Sequence, residues 1–149
     1  MTIKMQLNES MKDAMKSGDE VRKRTVRMVL AAVKQAAVDK RTELDDMAVM
    51  SLIQKEMKNR REALEEASKA NRADLVEANE AEMKVLEAFL PKAMPAEELR
   101  ALVQNAIDET GASTPADMGK VMKVVMAKVA GRAPNDVVSA TVRELLQPQ

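Results

Sequence analysis

The sequence contains no cysteine and no histidine. It therefore offers no disulfide, no thiol nucleophile and no zinc site built on Cys or His ligands. The side chain that most often transfers protons near neutral pH is also missing. Aromatic residues are reduced to one Phe, with no Trp and no Tyr, so the chain has no aromatic platform on which nucleic-acid bases could stack. These absences remove most of the usual catalytic and metal-binding chemistry.

Glycine and proline are scarce as well, with four and five among 149 residues, while Ala, Glu, Lys and the thirteen Met are abundant. This composition favours helix nearly everywhere. No apolar run approaches the roughly 20 residues of a membrane span, and the N-terminus lacks the apolar core of a signal peptide. We therefore expect an all-α protein that has no membrane segment and lies in the cytoplasm.

Apolar residues at helical spacing predict seven helices. The first four are expected over residues 2–17, 19–40, from Asp45 or Asp46 onward, and 71–90. The segment 90–95, Leu-Pro-Lys-Ala-Met-Pro, separates them from the rest, because two prolines four residues apart block helix continuation. We predict an N-terminal four-helix domain of long hairpins or a bundle over residues 1–92, and a small three-helix C-terminal domain over residues 93–149.

The three C-terminal helices are delimited by caps and stops. They are expected from Pro95 to Gly111, from between Ser113 and Asp117 to a stop at Gly131, and from a cap at Asn135 or Asp136. The middle one of these carries an apolar stripe that we predict to face inward. Its members are Met118, Val121, Met122, Val125 and Val129.

The outer side of this same helix carries positive charge. The candidates for phosphate contact are Lys120, Lys123, Lys128 and Arg132. A solvated surface, or cations that complement the helix dipole near its C-terminus, would explain the same residues, and the alternatives stay open. The internal Gly119 costs about 1 kcal/mol against Ala, so close approach of another helix, or of a nucleic-acid strand, is the expected compensation.

The formal charge balances at 24 basic and 24 acidic residues, but its distribution is uneven. Residues 19–41 contain seven basic and three acidic residues, and residues 112–149 contain five and three. The second predicted helix therefore adds further phosphate-binding candidates, Arg22, Lys23, Arg24 and Arg27. An ordinary helical surface with ion pairs is the competing interpretation.

Nothing in the sequence predicts catalysis by this chain alone. Acidic pairs such as Glu65-Glu66 occupy adjacent helical positions, which diverge around the helix. A glycine-rich phosphate loop is missing from the sequence, and Gly119-Lys120 is followed by Val121 instead of a hydroxyl residue that could hold magnesium. We expect no catalytic residue, no metal and no cofactor.

The order and spacing of several short segments resemble the YqeY-like family, the stand-alone relatives of the tail domain of the amidotransferase B subunit (GatB). These segments are Met11–Lys16, Arg27-Met28, Lys58–Glu62, Ala70–Leu75, Phe89-Leu90-Pro91, Glu97–Leu99, Asp117–Met122 and Gly131–Ala133. The resemblance covers essentially the whole chain and implies an all-helical fold. Its motif positions in the C-terminal part are Asp117, Met118, Gly119, Met122 and Gly131.

Three residues depart from the family's pattern. Lys123 stands where a small residue, often Gly, is expected, and Pro134 stands where the family usually has Asp. Phe89 replaces the Tyr that often precedes Leu-Pro. The first departure adds a positive charge, and the second changes the turn into the last helix.

The resemblance also implies a role. In the amidotransferase, the related tail helps to hold tRNA while the glutamate or aspartate on it is amidated with nitrogen from glutamine. The implied role here is a tRNA-binding accessory module, and such proteins carry the label of a carbon–nitrogen ligase with glutamine as amido donor. Two alternatives are a protein-interaction module that docks onto an amidotransferase or another assembly, and an enzyme subunit with glutamine-dependent amide chemistry.

Overall fold

The computed structural model describes residues 1–147, which form seven α-helices, one 3₁₀ turn and no strand. The prediction of an all-α protein is confirmed. The helices are α1 Ile3–Ser17, α2 Glu20–Lys40, α3 Asp46–Lys69, α4 Ala73–Glu87, α5 Ala96–Thr110, α6 Met118–Val129 and α7 Asn135–Leu146. The 3₁₀ turn, Pro115–Asp117, directly precedes α6.

The chain divides into two compact units, Met1–Pro91 and Lys92–Gln149. The first contains α1 to α4 and the second contains α5 to α7, and each has its own hydrophobic core. That these units are independent domains with the boundary after residue 92 stays a prediction.

Local capping explains why the helices of the first unit begin and end where they do. The Asp19 carboxylate accepts the backbone N–H of Arg22 at 3.1 Å, and the Asp45 carboxylate accepts that of Ala48 at 2.9 Å. Gly18 ends α1 in the left-handed conformation with φ of 73°, which a residue without Cβ adopts at little expense. These features follow the sequence-based expectations closely.

The core of the first unit gathers aliphatic side chains from all four helices. Leu7, Val26, Ile53 and Leu86 are each 0% exposed. The central helix α2 packs against α1, α3 and α4, which agrees with its nearly all-round apolar middle. Burying a side chain of this size stabilises the fold by roughly 1.5–3 kcal/mol.

The fourth helix is shorter than its predicted range of 71–90. Asn71 has a φ of 56°, in the left-handed region, so α4 cannot begin there and starts at Ala73 after the cap residue Arg72. At its other end α4 stops at Glu87, ahead of Pro91. The expectation erred because the left-handed turn interrupts an otherwise helical pattern.

The second unit is a three-helix module with a core built mainly of valine. Six Val side chains are buried with no exposed surface; they are Val103, Val121, Val125, Val129, Val138 and Val142. Around them Met118, Met122 and Met126 are half-buried and pack against the same core. The helices α5, α6 and α7 all contact one another.

Two predicted helix ends in this unit are wrong. The helix α6 ends at Val129, because Ala130 already adopts the left-handed conformation with φ of 48°, so Gly131 follows the stop and does not make it. Gly131 itself is left-handed and buried. Pro134, not Asn135 or Asp136, is the cap residue of α7, because proline in extended conformation blocks any earlier start.

Candidate nucleic-acid interface

The helix α6 has two chemically different sides. Val121, Val125 and Val129 are fully buried in the core of the second unit. Lys120 and Lys123 are exposed on the outer side. The two Met of the predicted inward stripe, Met118 and Met122, are only half-buried, so they border the core and do not lie inside it.

Two of the four candidate cations on α6 or just past its end are held in ion pairs. The Lys128 ammonium lies 3.1 Å from a Glu109 carboxylate oxygen on α5. The Arg132 guanidinium forms a two-pronged pair with Glu98, at 2.9 and 3.3 Å, and its Nε donates to the Lys92 carbonyl oxygen at 3.1 Å.

These pairs change the meaning of the two residues. Arg132 also accepts, through its carbonyl oxygen, the backbone N–H of Met94 at 2.9 Å, so it fastens the segment before α5 to the turn after α6. The geometry therefore assigns Arg132 a structural task. Because the pairs are partly exposed to solvent, each contributes at most about 1 kcal/mol to stability.

Lys120 and Lys123 remain without an ion pair among residues 1–147, and we call them the α6 pair. They are three positions apart, which places them on the same helical face. The structure therefore does not bring all four predicted residues into one free cationic patch. It leaves two cations available and neutralises the other two.

The predicted cluster on α2 divides in the same way. The Arg22 Nε lies 3.6 Å from an Asp19 carboxylate oxygen, and Arg24 donates to Glu82 at 3.2 Å. Lys23 and Arg27, one helical turn apart, have no ion pair within the described part of the chain, and we call them the α2 pair. Arg27 is exposed and Lys23 is half-buried.

Glu82 is the centre of a charged network that the sequence patterns did not predict. Its carboxylate accepts from Arg24 and lies 2.7 Å from Nε of Arg60 on α3. The same Arg60 guanidinium contacts the Met28 sulfur at 2.8 Å. The Met28–Arg60 contact thus joins two of the segments on which the resemblance was based, Arg27-Met28 and Lys58–Glu62.

Asp117 organises the start of α6. Its carboxylate accepts the backbone N–H groups of Ser113 and Thr114 at 3.1 and 3.3 Å, closing the 3₁₀ turn. These two hydrogen bonds hold the pKa of Asp117 below its usual value, with a smaller contribution from the positive charge of Lys120. The residue is thus a cap with a fixed negative charge beside the α6 pair.

Gly119 does not pack closely against another helix, although this had been expected. A Cβ placed at this position would meet no atom within 4 Å, so no neighbouring helix requires glycine there. The residue lies on the exposed side of α6, between Met118 and Lys120. Within the described chain, the space next to Gly119 is therefore empty.

Within residues 1–147, no group of three or more acidic side chains is arranged to hold a metal ion. No helix in that range is both long and apolar enough to cross a membrane.

The chain is similar to several fungal proteins named "Altered inheritance of mitochondria protein 41, mitochondrial". The protein of Pyrenophora tritici-repentis is 31% identical over 145 residues, which cover 94% of this chain and 78% of the relative. That of Lachancea thermotolerans is 35% identical over 113 residues, 73% of this chain and 60% of the relative. That of Eremothecium gossypii is 35% identical over 99 residues, 64% of this chain and 54% of the relative. The chain thus spans little more than half the length of two of these relatives.

These relatives correct one expectation. Their names place them in mitochondria, so the expected cytoplasmic location is wrong by this comparison. That expectation had depended only on the lack of a signal peptide and of a membrane span, neither of which distinguishes one aqueous compartment from another.

The family comparison covers nearly the whole chain. The sequence model described as "Yqey-like protein" matches residues 4–146, which include both compact units and every segment on which the resemblance was based. The resemblance to this family is therefore confirmed, and the chain belongs to the YqeY-like family.

Proposed function

We propose that this protein is an RNA-binding accessory module, with tRNA as its ligand, that acts beside a glutamine-dependent amidotransferase. It supplies binding and carries out no amide chemistry by itself. The observation that carries the proposal is the α6 pair, Lys120 and Lys123, exposed and free of ion pairs beside the open position of Gly119. Membership of the YqeY-like family, with its likeness to the amidotransferase tail, supports the choice of tRNA.

The chemistry of the α6 pair suits phosphate. Two ammonium groups on one helical face can each contact a phosphate oxygen, and such contacts position a nucleic acid without reading its sequence. Lys120 lies near enough to Asp117 for its positive charge to lower the pKa of the Asp117 carboxyl group. The negative charge of Asp117 in turn repels a phosphate that approaches the start of α6. We expect the phosphates to lie over Gly119 and Lys123, away from that carboxylate.

The α2 pair, Lys23 and Arg27, offers a second cationic surface in the first unit. Because the chain has one aromatic residue, binding is expected to depend on charge and shape more than on base stacking. The affinity should therefore fall steeply with salt, with a slope in log K of about −0.7 to −0.9 for each phosphate contacted.

A titration of labelled tRNA at several salt concentrations tests the proposal. Replacing both Lys120 and Lys123 by Ala should weaken binding by about tenfold or more and reduce the salt slope by about two phosphates. The matched control is Lys69→Ala with Lys84→Ala, which removes the same charge from exposed positions on α3 and α4. Equal losses in both double variants, or binding that salt does not affect, would refute a specific α6 contact.

The absence of catalysis by the chain alone has its own test. Purified protein incubated with misacylated tRNA, glutamine and ATP is expected to yield no amidated product. Formation of amidated tRNA would contradict the prediction that this chain lacks catalytic residues.

A second candidate function is a protein-interaction module that docks onto an amidotransferase or another assembly. Four exposed methionines of the first unit favour it, because Met side chains adapt to varied partners. They are Met1, Met5, Met15 and Met47, all between 44% and 72% exposed. Association with the amidotransferase that survives nuclease treatment would favour this candidate over RNA-mediated contact.

A further inference from the structure

A groove lies between α1 and the C-terminal half of α2 in the first unit. Its volume is about 620 Å³, within the range of pockets that hold small ligands. The floor is aliphatic: Val33 is buried, and Leu30 and Leu44 are half-buried and pack against the core. Val38 lies at the rim with 64% of its surface exposed, which leaves an apolar side chain in water.

Two cationic residues on different helices line this groove. Lys4 of α1 and Lys34 of α2 both line the groove, and both are exposed. Neither has an ion pair or a side-chain hydrogen bond among residues 1–147. The single acidic lining residue is Glu43, in the linker that follows α2. The groove therefore combines an aliphatic surface with two unneutralised positive charges.

We propose that this groove binds one linear aliphatic carboxylate. The carboxylate is held by Lys4 and Lys34 through charge-assisted hydrogen bonds, and the alkyl chain lies on Leu30, Val33 and Val38. Glu43, just after the end of α2, repels the carboxylate of the ligand. It therefore favours the orientation in which the alkyl tail points toward Glu43. The inference does not depend on RNA binding, since it concerns a different surface and a different class of ligand.

The dimensions favour such a ligand over the other occupants of an apolar groove. The apolar lining on α2 runs from Leu30 to Val38, about 12 Å by the helical rise, which is little more than two turns of a docked helix. Thr42 to Leu44 also line the groove and lie just beyond α2. A flexible alkyl chain fits this short surface, whereas the charged backbone of a nucleic acid gains no favourable contact with its aliphatic floor.

Isothermal calorimetry with sodium dodecanoate, below its micellar concentration, tests the proposal on the full chain. We expect one dodecanoate to bind per chain, with decanoate weaker by up to about fourfold for each methylene removed. Dodecyltrimethylammonium has the same alkyl chain and the opposite charge, so it should bind at least about tenfold more weakly. The reason is that the two lysines lining the groove repel a cationic head group.

Two substitutions and their matched controls locate the site. Lys34→Ala and Val38→Glu should each weaken dodecanoate binding by about tenfold. Lys12→Ala and Met15→Glu make the same chemical changes at exposed α1 positions outside the groove and should change binding less than about twofold. Unchanged far-UV circular dichroism shows that each variant keeps its fold, which is expected because all four side chains are exposed.

Three results would overturn the proposal. The first is equal binding of the anionic and cationic surfactants, which would mean non-specific apolar adsorption. The second is no dodecanoate binding while a helical peptide of Leu and Glu binds the groove, which would assign it to a partner protein. The third is concentration-dependent dimerisation that Val38→Glu abolishes, which would assign the groove to a second copy of this chain.

Discussion

The substitution Gly119→Ala tests whether glycine at this position serves ligand binding or the stability of the fold. The added Cβ meets no atom within 4 Å, so the substitution creates no clash in the protein alone. Because alanine favours helix over glycine, we expect the free energy of unfolding to rise by about 0.5–1 kcal/mol. Gly119 is the second residue of α6, near the helix end, so the gain should be toward the lower value.

The same substitution should have the opposite effect on binding. If a phosphate backbone approaches α6 over Gly119, the methyl group enters that space, and tRNA affinity should fall by roughly threefold to tenfold. Stability is measured by urea unfolding followed by far-UV circular dichroism, where the gain appears as a higher midpoint. Binding is measured by titration of labelled tRNA with the folded variant.

Ala127→Gly is the matched control on the same helix. Ala127 is exposed in the interior of α6, so the change should destabilise the protein by about 1 kcal/mol through helix propensity. It should leave tRNA affinity unchanged. If Gly119→Ala lowers stability, the open-space argument is wrong; if it raises stability and leaves tRNA affinity unchanged, the ligand does not approach this position.

Three further predictions concern stability. Leu86→Ala should destabilise the protein by about 2–5 kcal/mol in urea unfolding, because Leu86 is 0% exposed, whereas Leu75→Ala, at a position 42% exposed, should change it by less than about 0.5 kcal/mol. Arg132→Ala should cost at most about 1 kcal/mol by the same assay and reduce tRNA affinity less than the loss of the α6 pair, since its guanidinium is already paired with Glu98. The pKa of Asp117 is lowered in the folded state, so its ionised form stabilises the fold above about pH 4, and this contribution is lost as pH falls through the lowered pKa. Asp117→Asn should therefore remove this part of the loss of stability in acid. A pH profile of stability that is the same in both proteins would contradict this prediction.

Most of the fold could be predicted from the sequence because its helices are delimited by local chemistry. Asp19 and Asp45 cap their helices with their own side chains, and Gly18 and Gly111 end theirs with left-handed turns. Each of these signals involves residues within one helical turn. The errors arose at Asn71 and Ala130, which adopt positive φ, and at Pro134, which takes the cap position expected at Asn135 or Asp136.

The candidate site was less predictable, because charge neutralisation depends on residues far apart in the chain. Arg132 meets Glu98 across 34 positions, and Arg24 meets Glu82 across 58. Helical spacing cannot reveal such partners, so the sequence predicted two clusters of four cations where the structure leaves two free in each. The expectation that another helix packs closely at Gly119 was wrong for the same reason, since only the tertiary arrangement reveals the empty space beside it.

The valine core of the second unit bears on how so small a module can hold one conformation. A helical Val has essentially one populated χ1 rotamer, so Val103, Val121, Val125 and Val138 bring little rotational freedom to be lost on folding. Met118 and Met122 pack at the edge of this centre and have several rotatable bonds each. The unit thus combines valines held in one rotamer with an edge of methionines that have several, so a ligand bound as proposed at Lys120 and Lys123 would meet a backbone held in place by the valines.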